Sequence, residues 1–401
     1  MLHYFRIGFL LFMCFQLVSC NSQISEEKTE RLPDDFDSQQ PFGYKMPTTL
    51  TARDTSPGWN KKGRKIMLTG TVFQRDGKTP AKNIILYYYH TNSSGVYTTE
   101  KGHPRNMPKN KLGQTHGYMR GWLQTDANGK YAIYTILPGS YPSRNEAAHI
   151  HVTVKEPDLD DVYYIDNFTF DDDTLLTTER RKKMENRGGS GVIRFVDQDG
   201  LWVGERNIIL GLNIPDYPKD NITKPDSGKS IGESIFSFTP YHAYGPDKGT
   251  KTCPICKYGW YQGILYFVGN HPNWTDIKEW LSFLDAESVA RGKHLKVYFV
   301  YGNETDYQNN SSNKTLARLG AELNLQTVAL TVVPSFSDIS SEIHLNEINP
   351  EVENTFLIYK RSTIIENYVN FRPTQENFDK IKRRLEETVN LYFDLPRPKK
   401  N

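Results

Sequence analysis

Cysteine is scarce in this 401-residue chain, with 4 in all: Cys14, Cys20, Cys253 and Cys256. Cys253 and Cys256 form one C-x-x-C. No second such pair or close His pair supplies further ligands, which argues against a closed zinc site there. An excess of charge is also missing, since Lys plus Arg is 49 and Asp plus Glu is 47. That balance leaves no global field to gather nucleic acid. The apolar run Ile7–Val18 falls short of the roughly 20 residues that a spanning helix needs. What the chain holds in quantity is aromatic: 24 Tyr and 20 Phe fit a well-packed, β-rich protein. Its length fits two domains plus connecting segments rather than one core.

His3 and Arg6 flank the start of that apolar run, which ends in Leu17-Val18-Ser19-Cys20 and is followed by Asn21-Ser22-Gln23. The pattern resembles a bacterial lipoprotein signal over residues 1–19. The small residue before Cys20 admits the peptidase, and the Cys20 thiol takes the lipid. An ordinary secretory signal with an incidental cysteine is the other reading. The polar, Glu-rich stretch that follows favours the anchor, so the expected location is the cell envelope, as a membrane-anchored lipoprotein facing the periplasm or the surface. Cys14 then leaves with the signal and Cys20 is acylated, so Cys253 and Cys256 remain. In an oxidising compartment such a pair is expected as a disulfide, structural or redox.

Residues 20–56 carry Pro, Ser, Thr and charge without periodicity and read as tether. From Lys65 the pattern turns to strands. Ile66–Phe73, Asn83–Tyr89, Tyr131–Leu137, Ala148–Val154, Val162–Phe170, Ser190–Val196 and Ile208–Ile214 are separated by turns such as Arg75-Asp76-Gly77-Lys78 and Asp126-Ala127-Asn128-Gly129. Short strands at this spacing predict an all-β sandwich over residues 57–215. Residues 216–250 are rich in Pro, Gly, Ser and Lys and read as linker. Over residues 251–395 strand and helix patterns alternate, then a hairpin (Thr355–Tyr359, Ile364–Phe371) precedes a last helix with Phe378, Ile381, Leu385 and Val389 at helical spacing. That order resembles a thioredoxin-like α/β domain.

The stretch from Thr125 to Val152 carries the chemistry. It contains Thr125-Asp126 with Gly129 and Tyr131, Thr135-Ile136 with Pro138-Gly139-Ser140-Tyr141-Pro142, and Ala148-His149-Ile150-His151. Upstream stand Gly70-Thr71-Val72, Thr79-Pro80 and Gly95-Val96-Tyr97. His149 and His151 lie two apart on a predicted strand, so both imidazoles point to one face. Imidazole suits iron, copper and zinc. Phenolates are hard anionic oxygens that favour ferric iron, and coordination would lower the phenol pKa from about 10. Alone, an H-x-H on a strand is most often a surface pair, and a tyrosine in a β-rich protein is usually a core residue. What reverses that reading is their joint occurrence in the order of a known family, the intradiol ring-cleaving dioxygenases, which these motifs resemble and which implies a metal site.

The motif set resembles the intradiol ring-cleaving dioxygenases, over roughly residues 65–175. The resemblance implies Fe(3+) held by Tyr97 as equatorial phenolate, Tyr141 as axial phenolate, His149 and His151, with a hydroxide completing the set. It implies catechol-type substrates cleaved with O2 between the two hydroxyl-bearing carbons, Tyr141 serving as ligand and as base. One position departs. Three residues before the first histidine that family usually has an arginine, where this chain has Glu146; Arg144 is read as the only nearby cation and as its replacement. A second departure concerns Cys253-Pro254-Ile255-Cys256, which resembles a thioredoxin-type motif but precedes the strand Gly263–Val268 instead of following it. The place after that strand holds Asn270-His271-Pro272-Asn273, and Asn354 stands where that family has a proline. A structural disulfide is therefore read ahead of a redox pair. The rival for the whole chain is a non-catalytic sandwich used for binding or surface interaction, which Glu146 favours and the four intact ligand positions oppose.

Overall fold

The computed structural model describes residues 31–219, 223–390 and 392–398. Residues 1–19, read as a lipoprotein signal, and Cys20 lie outside the described residues. Among the described residues no helix is long and apolar enough to cross a membrane.

Two sheets face each other in the first part of the chain. One runs in the order Arg53–Thr55, Lys130–Ile136, Lys65–Phe73, Leu201–Glu205, Phe195–Gln198, with Ile208–Ile209 also paired to Lys65–Phe73. The other runs Arg120–Gln124, Ile85–Tyr89, His149–Lys155, Phe168–Phe170, Val192–Ile193, with Tyr163–Tyr164 also on His149–Lys155. Alternation decides which side chains meet between them. Ile66, Leu68, Leu86, Tyr88, Ile133, Ile150, Val152 and Val154 share one buried cluster.

The structure differs from the sequence reading at several strands. Arg120–Gln124 and Leu201–Glu205 are strands that the pattern did not mark. Val162–Phe170 is broken into Tyr163–Tyr164 and Phe168–Phe170, and Ile208–Ile214 shrinks to Ile208–Ile209. Residues 32–56, read as tether, are packed. Phe36 and Tyr44 are buried against Met107, while Phe42, Met46 and Leu50 cover Tyr87, Tyr89 and Trp122. These contacts come from isolated apolar residues between turns, so no periodicity announces them.

The second unit is built on one six-stranded mixed sheet, ordered Tyr241–Tyr244, Ala329–Val332, Leu295–Tyr301, Gln262–Val268, Thr355–Lys360, Thr363–Val369. The helices Trp274–Arg291, Ser312–Glu322 and Gln375–Thr388 bury Trp280, Leu316, Leu319 and Ile381 against Ile264, Tyr266 and Phe299. The opposite face, with Leu265, Phe267, Val300 and Leu357, is covered by Ile235, Phe238 and Ile255. The segment read as linker thus supplies a strand and a core face, because its Ile and Phe lie among turn residues that hide them in a composition count. Cys253 and Cys256 are joined in a disulfide, Cα–Cα 5.4 Å, at the short helix Pro254–Tyr258. After the strand Gln262–Val268, Asn273 caps the helix Trp274–Arg291 through its side chain. Asn354 brackets Phe371, accepting from its N–H at 2.8 Å and donating to its carbonyl at 3.1 Å.

Candidate metal centre

The strand His149–Lys155 turns Ile150, Val152 and Val154 into the core, so His149 and His151 fall on the outer face of their sheet. Tyr89 lies opposite His151 in antiparallel register. Its ring stacks on His151 at 4.5 Å and 16°, and His116 stacks on Tyr89 at 3.5 Å and 3°. His116 Nδ1 is 2.8 Å from Tyr87 Oη. The His149 Nδ1–H donates to the Ala147 carbonyl at 2.8 Å. That bond fixes the tautomer and leaves Nε2 as the lone-pair donor.

The two tyrosines come from loops that lie backbone against backbone. Asn92 organises the first: its Oδ1 accepts from Ser94 N (2.9 Å) and Val96 N (3.1 Å), and its carbonyl accepts from Gly95 N (3.0 Å) and Gly139 N (2.9 Å). Thr91 Oγ1 donates to the Gly139 carbonyl at 2.8 Å. Gly95 has φ +78°, and a Cβ there would meet the Ser140 carbonyl oxygen at 1.9 Å. The approach that only glycine permits is what brings Tyr97 to Tyr141.

Their polar atoms converge with those of the histidines. Tyr97 Oη is 2.7 Å from Tyr141 Oη, which is 3.5 Å from His149 Nε2 and 3.3 Å from His151 Nε2. The two imidazole nitrogens are 3.1 Å apart. Ligands about 2.1 Å from a common ion sit roughly 3–3.5 Å from one another; Tyr141 Oη and the two imidazole nitrogens have that spacing, and Tyr97 Oη joins them through Tyr141 Oη. Among the described residues no three His, Cys, Asp or Glu side chains form a metal-holding group; this set is two imidazoles and two phenols.

Burial, then the neighbouring Tyr141, push the Tyr97 phenol far above its ordinary value. Burial also raises Tyr141, where the Tyr97 hydrogen bond opposes it, Glu146 adds to it and Arg144 opposes it. Burial and the charge of His149 push His151 down to about 3. Two imidazoles and two half-buried phenols, raised so that they ionise only against a strong positive charge, make a donor set suited to a hard trivalent cation.

Beside His149 opens a cleft of about 540 Å³. Arg144 is exposed, its guanidinium 5.5 Å from the Tyr141 ring centre. It is not the only cation there: Arg180, Lys183 and Arg187 line the same cleft, with Glu146, Asp166 and Glu185 as its carboxylates. Arg180 donates to the Leu175 carbonyl at 2.7 Å and to the Asn145 carbonyl, inside the loop between Tyr141 and His149. These three lie far along the chain from the motif, so spacing gave no signal for them. Tyr89 was detectable, because it alternates with core residues on the strand Ile85–Tyr89. Cys253 and Cys256 do not join this site.

Residues 42–182 match the family described as Dioxygenase. The chain is 33% identical over 98 residues to the protocatechuate 3,4-dioxygenase beta chain of Burkholderia cepacia, across 23% of this chain and 39% of that protein. It is 31% identical over 114 residues to the catechol 1,2-dioxygenase of Acinetobacter baylyi, across 24% of this chain and 33% of that protein. The N-terminal part of this chain is an intradiol dioxygenase domain. The chain spans well under half the length of either relative. An intradiol ring-cleavage dioxygenase from Tetranychus urticae has a solved structure of which 93% aligns with 44% of this chain, at 18% identity and a TM-score of 0.31. The matched span of the dioxygenase domain contains Tyr97, Tyr141, His149 and His151, and it begins within residues 32–56, the segment packed over Tyr87 and Trp122.

Proposed function

We propose that the dioxygenase domain binds ferric iron through Tyr97, Tyr141, His149 and His151 and cleaves catecholic rings with O2 between the two hydroxyl-bearing carbons, giving a muconate-type diacid that holds both oxygen atoms. The observation that carries this reading is that Tyr141 Oη and the two imidazole Nε2 atoms lie 3.1–3.5 Å from one another, with Tyr97 Oη 2.7 Å from Tyr141 Oη. Bound there, the ferric ion supplies Lewis-acid activation of the catecholate.

The chain's own residues divide the remaining work. Tyr97 is the more deeply buried phenol and holds its place as a lasting ligand. Tyr141 is half-buried beside exposed Arg144, and its Oη is the atom that takes a proton from an incoming catechol hydroxyl. The Ala147 carbonyl keeps the His149 proton on Nδ1 throughout. Tyr89 holds the His151 ring by stacking. Arg144, Arg180 and Lys183 carry the substrate-charge role that the family assigns to the arginine replaced by Glu146, while Arg187 is paired with Glu185 at 2.6 Å.

The second unit is read as a thioredoxin-like scaffold, and Cys253–Cys256 as a structural clamp. Ile255 between the two cysteines is buried in the core, so the motif anchors the helix that covers the sheet. Glu146 supports a second reading, a dioxygenase scaffold retained for binding alone. One experiment separates the two. Iron-loaded protein should be red to burgundy from phenolate-to-ferric charge transfer, and labelled O2 with a panel of catechols should yield doubly labelled diacids. A colourless iron-loaded protein removes the phenolate site. A red protein that turns over no catechol leaves the binding scaffold.

A further inference from the structure

Between the two units lies a cavity of about 320 Å³ that the dioxygenase reading does not use. Five cationic side chains line it against two carboxylates, Asp171 and Glu342. Their pairing leaves charge over. Arg181 Nη1 reaches Asp171 Oδ1 at 2.7 Å and Arg194 Nε reaches Oδ2 at 3.2 Å, so two guanidiniums share one carboxylate. Lys182 is matched by Glu342 at 2.5 Å, and Lys257 by Asp247 at 2.5 Å. Arg397 lies over the Trp260 ring at 4.1 Å, with no carboxylate partner among the described residues. Two positive charges therefore face the cavity uncompensated.

Arg194 is the costly member of this group. Burial pushes its guanidinium down, Asp171 opposes that, and Arg181 and Arg397 add to it. Like charges gathered in a partly desolvated space are expensive unless an anion joins them. The rest of the lining indicates what kind. Trp260, Phe236 and Ile255 give apolar wall, and Ser190 and Ser234 give hydroxyls. The volume is of the small-molecule class, well beyond one tetrahedral oxyanion. The helix Thr178–Lys182 that brings Arg181 and Lys182 to this cavity also brings Arg180 to the cleft beside His149.

We propose that the cavity between the two units is a binding site for a small organic dianion, two carboxylates on a short apolar body, held by Arg181, Arg194 and Arg397. The inference is independent of iron and of the catechol reaction. Its test is isothermal titration calorimetry on the full chain with succinate, its neutral dimethyl ester and inorganic phosphate. Succinate should bind, the ester should not, and Arg397→Ala should weaken succinate by about tenfold, the value of one charge-assisted hydrogen bond. Arg194 also donates to the Arg361 carbonyl, so its removal risks the fold. Arg397 and Lys257 are exposed and avoid that risk. No heat with succinate overturns the proposal. So does phosphate binding without succinate, or succinate binding that Arg397→Ala does not alter.

Discussion

Glu146 stands three residues before His149, and its negative charge raises the phenol pKa of both Tyr97 and Tyr141. The same charge opposes a catechol dianion in the adjoining cleft. Replacing it with Gln should therefore favour both phenolate and bound catecholate, by about 1 kcal/mol or roughly fivefold in affinity at an effective dielectric near 20. Spectroscopic titration of iron-loaded Glu146→Gln with catechol would show this, and unchanged or weaker binding would mean that Glu146 has another task. The donor set makes a second prediction. Tyr97→Phe, His149→Ala and His151→Ala should each lose most of the iron, since each removes one of four ligands. Tyr141→Phe should keep more iron but lose turnover, because its proposed work includes accepting a proton. Elemental analysis beside rate measurement separates these outcomes, and full iron content in all three ligand variants would place the metal elsewhere.

At the scale of elements, the site depends on two loops pressed together at Gly95 and Gly139. Gly95→Ala puts a Cβ where the Ser140 carbonyl stands and forces an L-residue to φ +78°. The strain is of order 1–3 kcal/mol, and its relief must move the Tyr97 loop away from Tyr141. Lower iron occupancy with a modest fall in Tm is expected; native iron content would show that the loops do not set the ligand spacing. The elements also show where the sequence was readable. The alternation of His149–Lys155 puts both histidines on one face from the sequence alone, and the Pro138-Gly139 turn marks Tyr141 as a loop residue. Arg120–Gln124 escaped because Arg120 and Gly121 do not look like core residues, yet Arg120 is fully buried with its Nη1 on the Tyr44 carbonyl at 3.0 Å. Phe36, Tyr44, Ile235 and Phe238 escaped for a related reason: single apolar residues among turns carry no period, and their burial is decided by partners distant in the chain.

At the scale of the whole molecule, the last residues bind the two units together. Tyr392 and Leu395 pack with Trp260 of the second unit and with Met67, Val196 and Val203 of the first. Asp197 N donates to the Pro396 carbonyl at 2.8 Å, and Asn390 Nδ2 donates to Glu205 Oε2 at 2.7 Å. Glu205 also receives Lys360 at 2.8 Å, and Lys78 meets Glu366 at 2.7 Å, so ion pairs cross the same junction. The apolar part of the tail contact is the part that truncation removes cleanly. A chain ending after Val389 keeps the whole helix Gln375–Thr388 and the Lys360–Glu205 pair, but it loses the Asn390 and Pro396 hydrogen bonds and the Tyr392 and Leu395 burial, the latter roughly 2–4 kcal/mol of contact between the units. If that contact makes them unfold as one, the truncated chain should show two calorimetric transitions where the full chain shows one. The iron content of the first unit should be unchanged, because Tyr97, Tyr141, His149 and His151 are not in the cluster that Tyr392 and Leu395 join. A single transition at the original temperature would show that the ion pairs alone couple the units.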